Sequence, residues 1–282
     1  MDSGRKTRVI VGALLGLLFV GIVALGSIFR TVVFTVAAVI AVYEMSNMIY
    51  KKTEKNIFAA PAYVFAALCF PVASFPAALA ARMSAATAIM LLGALCLMLI
   101  AAERVFNKLR TTEESIYSAF MLIYPMSLFG MLALIMPADG LTSPKNVGLL
   151  LVFICPLMGD MLAYYIGSSM GKRKLCPEIS PHKTVEGSYG SFLGGLLGGF
   201  VCFLLQFIWG LHLPILPMLL VGIICGGVGQ IGDLFASVIK RWAGAKDYGN
   251  IFPGHGGVID RLDSVLMCAP VALCYVWLSM LV

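Results

Sequence analysis

The feature that most constrains this chain is a series of apolar segments, each close to 20 residues long, with hardly a charge inside them. A helix needs roughly 20 apolar residues to cross the hydrocarbon core of a bilayer. Backbone groups in lipid must hydrogen-bond internally, and continuous apolar runs without alternation favour helices over a barrel. The sequence therefore predicts an all-α, polytopic transmembrane bundle of about nine spans, near residues 9–27, 31–49, 58–80, 84–102, 116–136, 147–169, 189–211, 214–239 and 262–282.

The distribution of basic residues predicts the orientation of these spans. Of the 20 Lys and Arg residues, all but Arg30, Arg82 and Lys145 fall on one set of alternate connections, which includes the N-terminus. Basic loops stay in the cytoplasm, so we expect a cytoplasmic N-terminus and an integral protein of the cytoplasmic (inner) membrane. The net charge of +6 is then mainly a topology signal, with a secondary attraction for anionic headgroups or a phosphorylated substrate. Nucleic acid is not an expected partner.

Four carboxylates lie within the last four spans or at their ends. Charged groups inside a span are expensive unless they are paired, metal-bound or exposed to water. The alternating span directions place all four near the cytoplasmic face, at similar depth, and without Cys or His ligands nearby they suit Mg²⁺ better than zinc. These candidate metal ligands are Asp160, Asp233, Asp260 and Asp263.

Cationic and hydroxyl side chains accompany these acids. Asp233, Ser237 and Lys240 recur at i, i+4 and i+7, which predicts one polar face on the eighth span. Arg suits phosphate oxygens by bidentate geometry and Lys as a point charge. The glycine-rich run 253–257, just ahead of the last span, would let backbone N–H groups approach an anion at a helix N-terminus. Together these residues predict phosphoryl chemistry at the cytoplasmic surface, with the cations Lys183, Lys240, Arg241, Lys246 and Arg261 as candidate phosphate ligands.

The seventh and eighth spans are rich in glycine. Small residues allow helices to approach closely without lipid between them. The pattern leaves open whether the glycines serve packing alone or also form the wall of a buried site.

The polar run from Ser237 to Asp263 resembles the signature of the phosphatidate cytidylyltransferase family (CDP-diacylglycerol synthases). The similarity covers the second half of the chain, from about residue 155, and one departure is His182, where many relatives have Lys. The matching residues are Ser237-Val238-Ile239-Lys240-Arg241, Lys246-Asp247, and Pro253 to Asp263, with Gly159-Asp160, Ser180-Pro181, Lys183-Thr184 and Gly232-Asp233-Leu234 upstream.

The resemblance implies an enzyme that makes CDP-diacylglycerol and pyrophosphate from CTP and phosphatidate with Mg²⁺, with or without a second cation, and it suggests a homodimer. It favours Asp233 and Asp260 as the leading metal ligands, ahead of Asp160 and Asp263. The implied catalytic residues are Asp233, Asp260, Lys240 and Lys246, and the implied substrate-binding residues are Lys183, Ser237, Arg241, His255 and Arg261.

Two other functions fit part of the pattern. A proton- or cation-coupled transporter would use Asp160 and Asp233, but it needs a polar path to the other face, where polar residues are scarce. A CTP-dependent lipid kinase of similar build would transfer only the γ-phosphate. The roles of His182, Asp247 and Glu44 stay open, although for Glu44 an interfacial or hydrogen-bonded side chain is favoured over a catalytic one.

The sequence has no internal repeat and no low-complexity linker. We therefore expect a single membrane domain over residues 1–282, in which spans within 1–145 act mainly as scaffold. Residues 146–282 would supply the catalytic spans and two long cytoplasmic loops.

Overall fold

A computed structural model describes residues 3–74, 84–136 and 143–280, with side chains from residue 11 onward. Arg82, one of the basic residues expected outside the cytoplasm, lies outside the described residues. Within the described ranges the helices are α1 (Ser3–Ala24), α2 (Gly26–Thr53), α3 (Ala60–Ser74), α4 (Ala85–Phe106), α5 (Thr112–Met121), α6 (Ser127–Ile135), α7 (Pro144–Met170), α8 (Val185–Leu205), α9 (Ile215–Trp242) and α10 (Ile259–Ser279). A π turn, Leu122–Met126, joins α5 to α6, and a 3₁₀ turn, Gln206–Trp209, continues α8.

The prediction of an all-α polytopic membrane protein is confirmed. Seven of the described helical segments are long and apolar enough to cross a membrane, and α5 and α6 form one of them together. Two shorter apolar helices, Val11–Ala24 and Ala60–Ser74, coincide with the first and third predicted spans. The count of nine spans and the orientation of the N-terminus therefore stay predictions.

The chain divides into two compact units. One is formed by the chain up to Leu134 together with Trp242–Arg261, and the other by Ile135–Arg241 together with the chain from Leu262 onward. The expected single membrane domain, with a change of role at residue 145, stays a prediction. The segment Trp242–Arg261, which contains much of the signature, belongs to the unit of the N-terminal helices.

Helix α8 packs against α7 along one row of glycines and against α9 along another. A Cβ at Gly190 or Gly194 would lie 2.7 or 2.3 Å from a carbonyl oxygen of α7. A Cβ at Gly195 would lie 2.1 Å from the carbonyl oxygen of Gly222 in α9. Because such distances exclude any side chain, the glycines bring the helix backbones into direct contact, as small residues do in membrane bundles.

The connection between α7 and α8 contains a short antiparallel hairpin, which the sequence did not reveal. Strand β1 (Lys174–Cys176) pairs with β2 (Ser180–Thr184). The hydroxyl of Thr184 then accepts a hydrogen bond from the backbone N–H of Gly187 at 3.1 Å and caps α8. Helix α8 consequently begins at Val185, four residues before the predicted start of the span at 189.

Candidate active site

In the unit formed by Ile135–Arg241 and the chain from Leu262 onward, acidic side chains come together where α9 meets α10. At Gly232 of α9, a Cβ would lie 2.6 Å from the carbonyl oxygen of Asp263 in α10. This contact places Asp233, the next residue of α9, beside the first turns of α10. The carboxylate of Asp263, which is buried, interacts electrostatically with Asp233, Lys240 and Asp160. Three of the four predicted acids, Asp160, Asp233 and Asp263, are thus connected by electrostatic interactions within this unit, and their role as metal ligands stays a prediction.

Asp233 forms an ion pair with Lys183 of the hairpin. The Nζ atom of Lys183 lies 2.8 Å from Oδ2 of Asp233, and the two side chains are 20% and 34% exposed. Strand β2 carries Lys183 directly before the capping residue Thr184, so the start of α8 fixes the position of the lysine. The carboxylate of Glu186 also accepts the backbone N–H groups of Lys172 and Arg173, at 3.0 and 3.2 Å. The hairpin is thus attached to the α8 N-terminus at both of its ends.

The polar face predicted for the eighth span lies on α9. Ser237 and Lys240 are both 8% exposed, whereas Arg241 at the end of the unit is exposed. The Nε atom of Arg241 donates to the carbonyl oxygen of Ile179 in the hairpin, at 3.3 Å. A buried lysine needs compensating charge, and the electrostatic interaction of Lys240 with Asp263 supplies part of it.

The carboxylates of this unit offer oxygen donors only. In the described part of the chain, no three His, Cys, Asp or Glu side chains are arranged so that they would hold a metal ion by themselves. Mg²⁺ is commonly bound by one or two carboxylates together with substrate phosphates and water. The donor chemistry of Asp160, Asp233 and Asp263 therefore fits magnesium of that kind.

Asp260 lies in the other unit, at the start of α10, and is 8% exposed. Its Oδ2 atom accepts the backbone N–H of Tyr248 at 2.7 Å and that of Gly257 at 2.9 Å. These bonds close the signature loop (residues 246–258) onto the start of the helix. Asp260 thus has a structural role in the loop, and its predicted role as a metal ligand stays a prediction.

A second carboxylate, Glu44 of α2, meets the same loop. Its two oxygens accept the backbone N–H groups of Val258 and Ile259 at 2.8 and 2.9 Å. The sequence predicted an anion at this helix N-terminus, and the anion found there is the carboxylate of Glu44. Glu44 is therefore hydrogen-bonded, as the sequence favoured. Its position in the sequence did not indicate that the partner would be the signature loop.

The remaining predicted residues lie in the signature loop, at the start of α10 or on the hairpin, and most of them are exposed. Lys246, Asp247 and Arg261 are exposed. His255 is half-buried, its backbone N–H donates to the carbonyl of Phe252 at 2.8 Å, and its Nδ1 atom has no hydrogen-bond partner among the described residues. His182 is exposed on the hairpin. Their predicted roles with substrate stay predictions.

Comparison with known proteins identifies the group to which this chain is related. Phosphatidate cytidylyltransferase of Bacillus subtilis is 47% identical over 112 residues, which cover 39% of this chain and 40% of the relative. The protein of that name from Staphylococcus epidermidis is 44% identical over 122 residues, covering 43% and 46%. That of Aquifex aeolicus is 47% identical over 123 residues, covering 43% and 44%.

In each case the similarity spans less than half the length of the relative. A match to a family profile extends much further, over residues 6–279. This match includes every acid and cation described above, in both compact units. The chain therefore belongs to the Cytidylyltransferase family.

Proposed function

We propose that this chain transfers the cytidylyl group of CTP to phosphatidate, giving CDP-diacylglycerol and pyrophosphate for phospholipid synthesis. Its family membership and the names of its relatives support this proposal. The observation that carries it is the Lys183–Asp233 ion pair at 2.8 Å, with the charges of Asp263 and Lys240 beside it, on otherwise apolar helices. Such charges in a membrane protein are expensive and mark functional sites.

The reaction joins two anions. A phosphate oxygen of the lipid attacks the α-phosphorus of CTP in line and forms a new P–O bond. The bond from that phosphorus to the oxygen bridging to the β-phosphorus breaks, and pyrophosphate leaves with the electron pair. A phosphate monoester has a second pKa of about 6, so it is largely dianionic at pH 7 and needs no general base. Catalysis should therefore depend on positioning and charge neutralisation.

The cations of the unit containing α9 are suited to that neutralisation. We assign Lys183 and Lys240 to the phosphate groups of the substrates, with Arg241 and Ser237 as further donors. Lys183 is held by the hairpin and Lys240 is buried, so both are restricted in position. Lys246 and His255 of the signature loop and Arg261 of α10 remain proposed phosphate-binding residues. His255 would act as a hydrogen-bond donor, because the reaction needs no base.

Magnesium is part of the proposal. Asp233 would hold it together with substrate phosphates and water, with either Asp263 or Asp160 as a second carboxylate, and the role of Asp260 as a ligand stays a prediction. When bound, the ion would offset negative charge on the phosphates. The residues of this chain would do the remaining work: the carboxylates orient the site, and the lysines attract and align the two phosphate groups.

The setting of the reaction follows from the distribution of charge. The helices make this an integral membrane protein. We propose that it lies in the inner membrane with its active site facing the cytoplasm, because the basic connections gather on one side. We also propose the homodimer that the family resemblance suggests.

The test is pyrophosphate release by the purified full chain in nanodiscs that contain phosphatidate. We expect release to require CTP, phosphatidate and Mg²⁺, and to stop when EDTA removes the metal. Release that is equally fast without phosphatidate, or no release at all, would contradict the proposed function.

A further inference from the structure

Glu44 is nearly inaccessible, with 1% of its surface exposed, and it lies in α2, far along the chain from the signature. Its Oε1 accepts the N–H of Val258 at 2.8 Å, and its Oε2 accepts that of Ile259 at 2.9 Å. Ile259 is the first residue of α10. The carboxylate therefore satisfies two N–H groups at the start of this helix, where the helix dipole favours a negative charge.

The signature loop also closes around the carboxylate. A Cβ at Gly249 would lie 2.6 Å from Oε1 of Glu44, and a Cβ at Gly257 would lie 2.2 Å from the same atom. Any larger residue at either position would displace Glu44. Gly257 belongs to the glycine-rich run that was expected to approach a substrate phosphate, and in the structure it approaches a carboxylate of the protein itself.

Asp260 fixes the same loop through separate bonds. Its Oδ2 accepts the N–H groups of Tyr248 and Gly257, so Gly257 lies between the two carboxylates. Lys246 precedes this doubly held segment, His255 is within it and Arg261 follows it. Glu44 and Asp260 therefore hold the backbone segment that carries His255 and that adjoins Lys246 and Arg261.

We propose that Glu44 is a positioning residue, which holds the signature loop and the start of α10 in the geometry that the reaction needs. A buried carboxylate is unfavourable unless hydrogen bonds compensate for the water that it loses. The hydrogen bonds from Val258 and Ile259 compensate Glu44 only in the observed conformation of the signature loop. Glu44 acts through the loop and does not itself touch the reacting atoms. The kinetic part of this inference rests on the proposed function, whereas the structural part does not.

The experiment compares Glu44→Gln with the wild-type chain in nanodiscs. The amide keeps the size of the side chain, but its NH₂ group faces a backbone N–H, so one hydrogen bond is lost. We expect hydrogen exchange of the peptide covering residues 246–260 to accelerate about tenfold, as one lost bond of about 1.4 kcal/mol implies. Turnover should fall by up to about 100-fold, because small misplacements are costly in catalysis. Exchange in α8 should not change.

Glu54→Gln is the matched control. Glu54 caps the C-terminal end of the same helix, its side chain is exposed, and the substitution removes the same charge. We expect neither loop exchange nor turnover to change in this variant. If Glu54→Gln slowed turnover as much as Glu44→Gln, net charge would explain the effect and the inference would be wrong.

Gly249→Ala tests the contact between Glu44 and the signature loop by changing the loop. This variant tests the proposed role of Glu44 if Glu44→Gln does not fold. The added Cβ would force Glu44 away, so the same peptide should exchange faster and turnover should fall. Unchanged loop exchange in the folded variants, or faster exchange with unchanged turnover, would overturn the inference. If the wild-type chain releases no pyrophosphate, the proposed function fails, and loop exchange alone then decides whether Glu44 holds the loop.

Discussion

Among single residues, Asp233 has the contacts from which a role in the chemistry follows most directly. It pairs with Lys183 at 2.8 Å, and its charge acts on that of Asp263. Glu178, in the turn of the same hairpin, is exposed and lies outside this cluster. The two acids therefore offer a comparison between a carboxylate within the cluster and one outside it.

We expect Asp233→Asn to reduce turnover at least 100-fold or so, because the carboxylate that neutralises and orients charge is lost. Glu178→Gln should retain normal turnover. Turnover is measured as pyrophosphate release at limiting Mg²⁺, with thermal melting as the check on folding. Near-normal turnover of folded Asp233→Asn would show that this carboxylate is not a ligand or orienting group.

The same assay applies to Asp260→Asn, for which two effects are expected. The asparagine amide oxygen is a neutral acceptor, so it would bind the backbone N–H groups of Tyr248 and Gly257 more weakly than the carboxylate does. Hydrogen exchange of the signature loop should therefore accelerate. Turnover should also fall to near zero if the carboxylate is a metal ligand. If excess Mg²⁺ partly restores turnover, Asp260 is a metal ligand. If turnover does not respond to Mg²⁺, the role of Asp260 is to hold the signature loop.

His255 tests whether a general base is needed. We expect His255→Gln to lower turnover by about tenfold, as for one hydrogen bond to a charged phosphate, without moving the acidic limb of the pH profile. The measurement is the pH dependence of kcat and kcat/KM. A shift of that limb would mean that His255 accepts a proton in the reaction.

At the scale of elements, the glycine rows of α8 determine how closely its neighbours approach. Gly195→Ala would place a methyl group 2.1 Å from the carbonyl oxygen of Gly222. Backbone must then move, and we expect a loss of about 1–3 kcal/mol or more, the usual cost of overpacking. Thermal melting measures it. Gly93→Ala in α4 is the control, because its new Cβ would make an ordinary 3.6 Å contact with Phe65. Equal melting temperatures for the two variants would contradict direct backbone packing of α8 on α9.

The sequence predicted these elements unevenly. Apolar runs located the helices, because lipid permits few alternatives for a backbone. The hairpin of Lys183 was missed, since strands of three and five residues give no usable periodicity. Span direction predicted that Asp160, Asp233, Asp260 and Asp263 lie at similar depth. It did not reveal that Asp260 bonds to the signature loop. The partner of Glu44 could not be predicted either, because 214 residues separate it from Val258 and no local pattern records such a contact.

At the scale of the whole molecule, the chain is a membrane protein whose orientation is predicted from its basic connections. Cys176 provides a natural probe, because it is a free thiol on strand β1, in a connection expected in the cytoplasm. In a variant that keeps only this cysteine, a membrane-impermeant maleimide should label inverted vesicles and not intact spheroplasts. The opposite pattern would reverse the predicted topology.

The central claim is that the cytidylyl group itself reaches the lipid phosphate. The most direct measurement supplies the full chain with tritiated-cytidine CTP and ³²P-phosphatidate and analyses the lipid product. We predict one product that carries both labels in equal amounts, with one pyrophosphate released for each molecule formed. A lipid product that lacks the cytidine label while gaining the γ-phosphate of CTP, or no labelled product at all, would contradict the account.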